Sequence, residues 1–159
     1  MSEGKYIQSF PEFGPERMGA PVTAFTRIST EPIRIHCAVY DPDVVVVLDS
    51  TLLETVPVVA GVNREEDVIV VNSADEPAKV RARLRLDKGR VWTIPATELA
   101  IKVLGSPITN TAMLGAVARA TGVVSIESTE KTVRERFRAD VAEKNMAVIR
   151  RAYEEVKSE

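Results

Sequence analysis

Cysteine and histidine are almost absent: the 159 residues hold one of each, Cys37 and His36. One cysteine excludes an intrachain disulfide. One cysteine and one histidine cannot supply the thiolate set of an iron–sulfur cluster or close a structural zinc site. The two are neighbours, and in a strand neighbours point to opposite faces. Nothing in the sequence pairs them as a catalytic dyad. Charge of one sign is also lacking, with 21 Lys and Arg against 23 Asp and Glu, a net −2. A nucleic-acid surface needs a basic stripe, and an anionic membrane surface needs a polybasic patch. Neither partner is expected. No apolar run is long enough to span a bilayer. The start, Met1-Ser2-Glu3-Gly4-Lys5, shows no apolar leader, so a cytoplasmic protein is expected. A Gly-Lys-Ser/Thr phosphate loop, a Gly-x-Ser-x-Gly elbow and carboxylate–histidine metal spacing are all missing.

What is present is a hydrophobic content of 45%, enough for one sizeable core. Length and the lack of a linker predict one domain over residues 1–159. Short strands are expected at 5–9 and 21–28, with 33–39 as the hairpin partner of the second. The stretch 44–48 is an unbroken apolar run, and 68–71 is another. Such runs without alternation describe strands buried on both faces. A weaker one covers 90–94. Helices are expected at 51–55 and 77–86 between them. The fold class that follows is α/β: a wound, mainly parallel, Rossmann-like sheet flanked by helices. The last third is helical. Helix 97–104 stops at Gly105 and Pro107. Asn110 is positioned to cap the next helix, and Ser125 or Ser128 the one after. Residues 143–157 place Met146, Ile149 and Tyr153 on one apolar stripe.

Candidate binding residues lie in two places. Between residues 9 and 22, Pro11, Gly14, Pro15 and Gly19 restrict the backbone, which lowers the entropy lost when a loop holds a ligand. This loop presents Ser9, Glu12, Glu16 and Arg17. An arginine fork suits a phosphate or carboxylate; the alternative is that Arg17 pairs with Glu12 or Glu16. Elsewhere, Asp49 and Asn72 end buried strands, where ligands gather in wound sheets, although both residues also favour turns. Asn110, at a helix start, could face the same crevice with its free amides. Asp41 and Asp43, on either side of Pro42, read as a solvated turn.

The run Gln8-Ser9-Phe10-Pro11-Glu12-Phe13-Gly14-Pro15-Glu16-Arg17, continued by Gly19-Ala20-Pro21-Val22, resembles the signature of gamma subunits of pyruvate and related 2-oxoacid:ferredoxin oxidoreductases. Further segments follow the family in order: Pro32-Ile33-Arg34, Pro42-Asp43-Val44, Leu48-Asp49-Ser50-Thr51-Leu52-Leu53, Asn110-Thr111-Ala112-Met113-Leu114-Gly115 and Arg134-Glu135-Arg136-Phe137. The resemblance covers nearly the whole chain. It departs in two places. The family usually opens with a strand, a Gly-Gly-Gln-Gly loop and a helix, a unit of roughly 30 residues that these residues do not include. Met18 stands where a second arginine is common.

The resemblance implies a complex that oxidises a 2-oxoacid with coenzyme A to acyl-CoA and carbon dioxide while reducing ferredoxin. Thiamine diphosphate, Mg2+ and [4Fe-4S] clusters would sit on alpha-, beta- and delta-type partner subunits, and this chain alone would hold no cofactor. It implies that the gamma part binds coenzyme A and closes the active site. The contacts expected are Ser9, Glu12, Arg17, Gly19 and Asn110, with Arg17 near the phosphates. The alternative is a truncated gamma copy that docks to the other subunits without binding coenzyme A.

Overall fold

A computed structural model describes residues 3–12 and 21–159. The chain forms two compact units, Met1–Tyr40 and Asp41–Glu159.

The first unit is built on an antiparallel ribbon of β1 (Tyr6–Glu12) and β2 (Thr23–Ser29). β1 runs three residues beyond the expected end and includes Pro11. Proline gives no ladder donor and is confined to edge strands; both strands of a two-stranded ribbon are edges. The expectation that 33–39 pairs with β2 is corrected: β2 pairs with β1, and 33–39 forms no strand. Side chains hold that segment instead. Arg27 Nη2 donates to the Ala38 carbonyl at 3.0 Å and Arg27 Nη1 to Gln8 Oε1 at 3.0 Å. Gln8 Nε2 lies 2.9 Å from His36 Nδ1. His36 and Cys37 therefore do not occupy a strand, and Cys37 is exposed.

The second unit is the wound sheet. Its strand order is β3 (Val44–Val47), β4 (Val68–Asn72), β5 (Arg90–Ile94) and β6 (Lys157–Ser158). The first three are parallel, with Val45 opposite Ile69 and Ile69 opposite Val91; β6 is antiparallel to β5. Parallel neighbours need crossovers, and helices supply them. α1 (Leu52–Thr55) lies between β3 and β4, and α2 (Pro77–Leu84) between β4 and β5. α3 (Ala96–Leu104), α4 (Asn110–Thr121), α5 (Ile126–Arg136) and α6 (Ala139–Glu155) follow.

Alternate residues of β4 face different cores. Val68 and Val70 pack with Leu99, Met113, Ala116 and Val148 from α3, α4 and α6. Ile69 and Val71 pack with Leu53 and Val80 from α1 and α2. Covered on both faces, β4 is apolar at every position from Val68 to Val71, as the unbroken run predicted. The same reading applied to 44–48 needs correction. β3 is an edge strand among the described residues, with Val47 buried but Val46 41% exposed. Apolar runs report strand character; they do not distinguish a central strand from an edge.

The helical third closes one face. Ser125 caps α5 by accepting the Ser128 N–H at 3.1 Å. On α6, Met146 and Ile149 are buried, whereas Tyr153 is half-buried with the Arg119 guanidinium 5.3 Å from its ring centre. Beyond α6, the Glu159 carboxylate accepts the Val91 N–H at 2.8 Å and pairs with Arg81, fastening this end of the chain to β5. Those contacts hold the Glu159 carboxyl below its usual range. The Arg81 hydrogen bond dominates and outweighs the opposing effect of partial burial.

Candidate functional site at the carboxyl ends of the parallel strands

β3, β4 and β5 run parallel, so their carboxyl ends open on one side, where crossover loops leave a crevice. A cleft of about 480 Å³ lies there. Its walls come from Leu48, Asp49 and Ser50 after β3, Asn72 and Ser73 after β4, and Thr97 and Glu98 at the start of α3, with Thr109 just before α4. No lysine or arginine is among these lining residues. The cleft offers hydroxyls, an amide and two carboxylates. That chemistry suits a hydroxylated or amino ligand better than a phosphate.

Asn72 organises the cleft wall. Its Nδ2 donates to the Leu48 carbonyl at 2.8 Å and to Thr97 Oγ1 at 2.8 Å. Its Oδ1 accepts the Thr97 N–H at 3.3 Å. One side chain thereby joins the ends of β3 and β4 to the first turn of α3. It has a bracing role that neither a turn nor a ligand contact would predict. Replacing the buried Asn72 with alanine removes these three hydrogen bonds, while water in the cleft can reach the Leu48 and Thr97 groups left behind. Each bond lost contributes about 0.5–1.5 kcal/mol net. Urea denaturation is expected to show a loss of that order for N72A, and an unchanged midpoint would show that the brace carries no energy.

Asp49 is exposed and bonded locally. Its Oδ1 accepts the Thr51 N–H at 2.9 Å and the Thr51 hydroxyl at 2.8 Å. These two bonds, the backbone one first, hold its carboxyl below the ordinary aspartate range. Asp49 is thus a fixed anion at the cleft mouth.

Of the residues expected to bind ligand, Asn110 is the first residue of α4, next to the cleft-lining Thr109. Its Oδ1 accepts the Thr111 N–H at 2.8 Å, one position later than the cap expected for it. Ser9 and Glu12 belong to the first unit. Both lie on β1, three residues apart, so the pleat puts them on opposite faces of the ribbon. Ser9 Oγ lies 3.0 Å from Thr26 Oγ1 across the strands. Arg17 and Gly19 lie outside the described residues. Sequence reasoning passed over Ser50, Ser73, Thr97, Glu98 and Thr109. The signal available was position: each lies within three residues of the end of a parallel strand or of a helix start.

Residues 1–155 match the family model described as pyruvate ferredoxin/flavodoxin oxidoreductase. The chain belongs to this oxidoreductase family. Among its relatives is the pyruvate/ketoisovalerate oxidoreductases common subunit gamma of Pyrococcus furiosus, 51% identical over 152 residues, covering 96% of this chain and 82% of that protein. Pyruvate synthase subunit PorC of Methanocaldococcus jannaschii is 46% identical over 155 residues, with coverages of 97% and 82%. The crystal structure of pyruvate oxidoreductase subunit PORC from Thermotoga maritima matches with a TM-score of 0.86 at 40% identity, over 99% of this chain and 83% of that one. The oxidoreductase family and the α/β wound fold read from sequence are both borne out. Among the described residues, no helix is long and apolar enough to cross a membrane.

Proposed function

We propose that this chain is the gamma-type subunit of a 2-oxoacid:ferredoxin oxidoreductase, with pyruvate as the leading substrate. The observation that carries the reading is identity near one half, sustained over 152 residues, to proteins named as gamma subunits of pyruvate oxidoreductases. In this reading, alpha-, beta- and delta-type subunits hold thiamine diphosphate, Mg2+ and the [4Fe-4S] clusters and pass electrons to ferredoxin. A single cysteine among 159 residues fits that division. The gamma chain contributes to binding coenzyme A and to closing the active site. Coenzyme A is rich in phosphate, and the cleft lining has no cation. In this reading the phosphate partner is Arg17, the position that matches the family's basic residue, and Ser9, Glu12, Gly19 and Asn110 are the further contacts proposed on the same resemblance.

The test is reconstitution. The chain alone is expected to give no pyruvate-dependent reduction of a viologen dye. The complex with its partner subunits is expected to turn over and to saturate with coenzyme A. Omitting this chain should abolish or cripple the coenzyme A-dependent step. A complex lacking the chain that keeps full activity and the same coenzyme A dependence overturns the proposal. A complex that needs the chain to assemble, yet binds coenzyme A equally well when Arg17 and Asn110 are both replaced, would assign it the docking role alone.

A further inference from the structure

The hydrogen bonds around Asn72 fix the polarity of the strand-end cleft. A backbone carbonyl only accepts and a backbone N–H only donates. The bond to the Leu48 carbonyl therefore marks one end of the Asn72 amide as its nitrogen, and the bond from the Thr97 N–H marks the other end as its oxygen. That nitrogen has two hydrogens. Leu48 takes one, and Thr97 Oγ1 receives the other at 2.8 Å. The Thr97 hydroxyl is thus an acceptor toward the framework, and its own hydrogen has no acceptor among the described residues. Ser73 repeats the arrangement. Its Oγ accepts the Asp75 N–H at 3.1 Å, and its hydrogen is likewise left over. Both side chains line the cleft, so each offers it an O–H donor. The opposite polarity comes from two carboxylates in the same lining, Asp49 and Glu98. Asp49 engages Thr51 through Oδ1 alone, which leaves Oδ2 without a partner among the described residues. Glu98 is exposed.

We propose that this cleft is an amide-binding subsite: the Thr97 and Ser73 hydroxyls donate to carbonyl oxygens of an uncharged, amide-bearing chain, and the Asp49 and Glu98 carboxylates accept its N–H groups. The inference rests on the subunit reading above and deepens it, because coenzyme A carries such a chain between its thiol and its phosphates. A secondary amide has one fixed acceptor and one fixed donor, which matches a wall whose own donors and acceptors are fixed. A phosphate or a free carboxylate is disfavoured, since no cation lines the cleft and the two carboxylates would repel it. A purely apolar chain is disfavoured as well. It would strip water from these polar groups and return no hydrogen bond. Thr97 and Ser73 are therefore specificity-determining residues, and Asn72 is a positioning residue that sets the polarity of the Thr97 hydroxyl.

The experiment uses the reconstituted complex and two probes, each read as an inhibition constant against coenzyme A. S-methylpantetheine has the amide chain, a blocked thiol and no phosphate. Adenosine bisphosphate has phosphates and no amide chain. Thr97→Val and Ser73→Ala are each expected to weaken S-methylpantetheine about three- to tenfold, and the two together about ten- to a hundredfold. Adenosine bisphosphate should bind all of them as it binds the parent. Thr97→Ser keeps the hydroxyl and should keep the parent affinity for both probes, which separates a lost donor from a disturbed fold. Equal losses for both probes overturn the proposal, because they report a distorted chain. A loss confined to adenosine bisphosphate overturns it too, by putting the nucleotide in the cleft. So does a parent complex with no affinity for S-methylpantetheine. A parent whose turnover does not depend on coenzyme A overturns the subunit reading and this inference with it; a parent that saturates with coenzyme A while the variants bind S-methylpantetheine equally well overturns the inference alone.

Discussion

Replacing Gly115 with alanine is expected to lower stability by about 1–3 kcal/mol, and valine should cost more. Gly115 lies in the buried face of α4, where a β-carbon would strike the backbone carbonyl oxygen of Ile149 on α6 and come within 3.1 Å of the Ala152 β-carbon. A side chain could rotate away, but a helix carbonyl cannot. Relief therefore requires α4 and α6 to separate, and both pack on the core that holds Val70 and Ile94. In an exposed helix the same substitution would stabilise by up to about 1 kcal/mol, since alanine is the better helix former. The sign is thus diagnostic. For a chain of this size, each kcal/mol moves the melting midpoint by roughly 2–4 °C. A thermal melt of G115A should fall by several degrees. A midpoint that stays or rises would mean that the two helices part without cost.

Replacing Arg17 with alanine is expected to raise the apparent coenzyme A constant of the reconstituted complex by roughly ten- to a hundredfold. The basis is the proposed phosphate contact, a charge-assisted hydrogen bond of about 1.5–3 kcal/mol. Coenzyme A-independent decarboxylation should change little, because the thiamine would reside on another subunit. The competing role for Arg17, pairing with Glu12 or Glu16, makes a different forecast: the variant would lose stability or assembly while keeping its coenzyme A affinity. Titrating coenzyme A into complexes of equal subunit content separates the two, and an unchanged constant removes Arg17 from the site.

Local chemistry made much of the fold legible. The stop at Gly105 is a left-handed turn residue, φ +74°, accepting the end of α3 where a β-carbon would be strained. Ser125 caps α5 as its side chain allows. The four-residue apolar run in β4 is buried at every position. These features depend on one or two turns of chain, so their physics is contained in the residues themselves. The candidate site was less legible. Asp49 and Asn72 could be placed at strand ends, but not given roles. Their partners are of two kinds: Thr51, two residues away, and Leu48 and Thr97, brought close only by parallel pairing and the crossover.

The sequence alone therefore determined the three parallel strands and the helices of the wound sheet, because apolar runs, caps and breakers act over a few residues; the short antiparallel β6 at Lys157–Ser158, read as the end of a helix, came only with the structure. The sequence also carried the family resemblance, because that resides in the order of the residues. Tertiary structure decided the rest. It set β3 at an edge rather than in the centre of the described sheet. It gave β2 an upstream partner instead of 33–39. By extending β1 to Glu12, it put Ser9 and Glu12 on opposite faces, since strand parity acts only once the strand's true length is known. Pairing depends on which hydrogen-bonding edges meet in space, and residues far apart in sequence supply those edges.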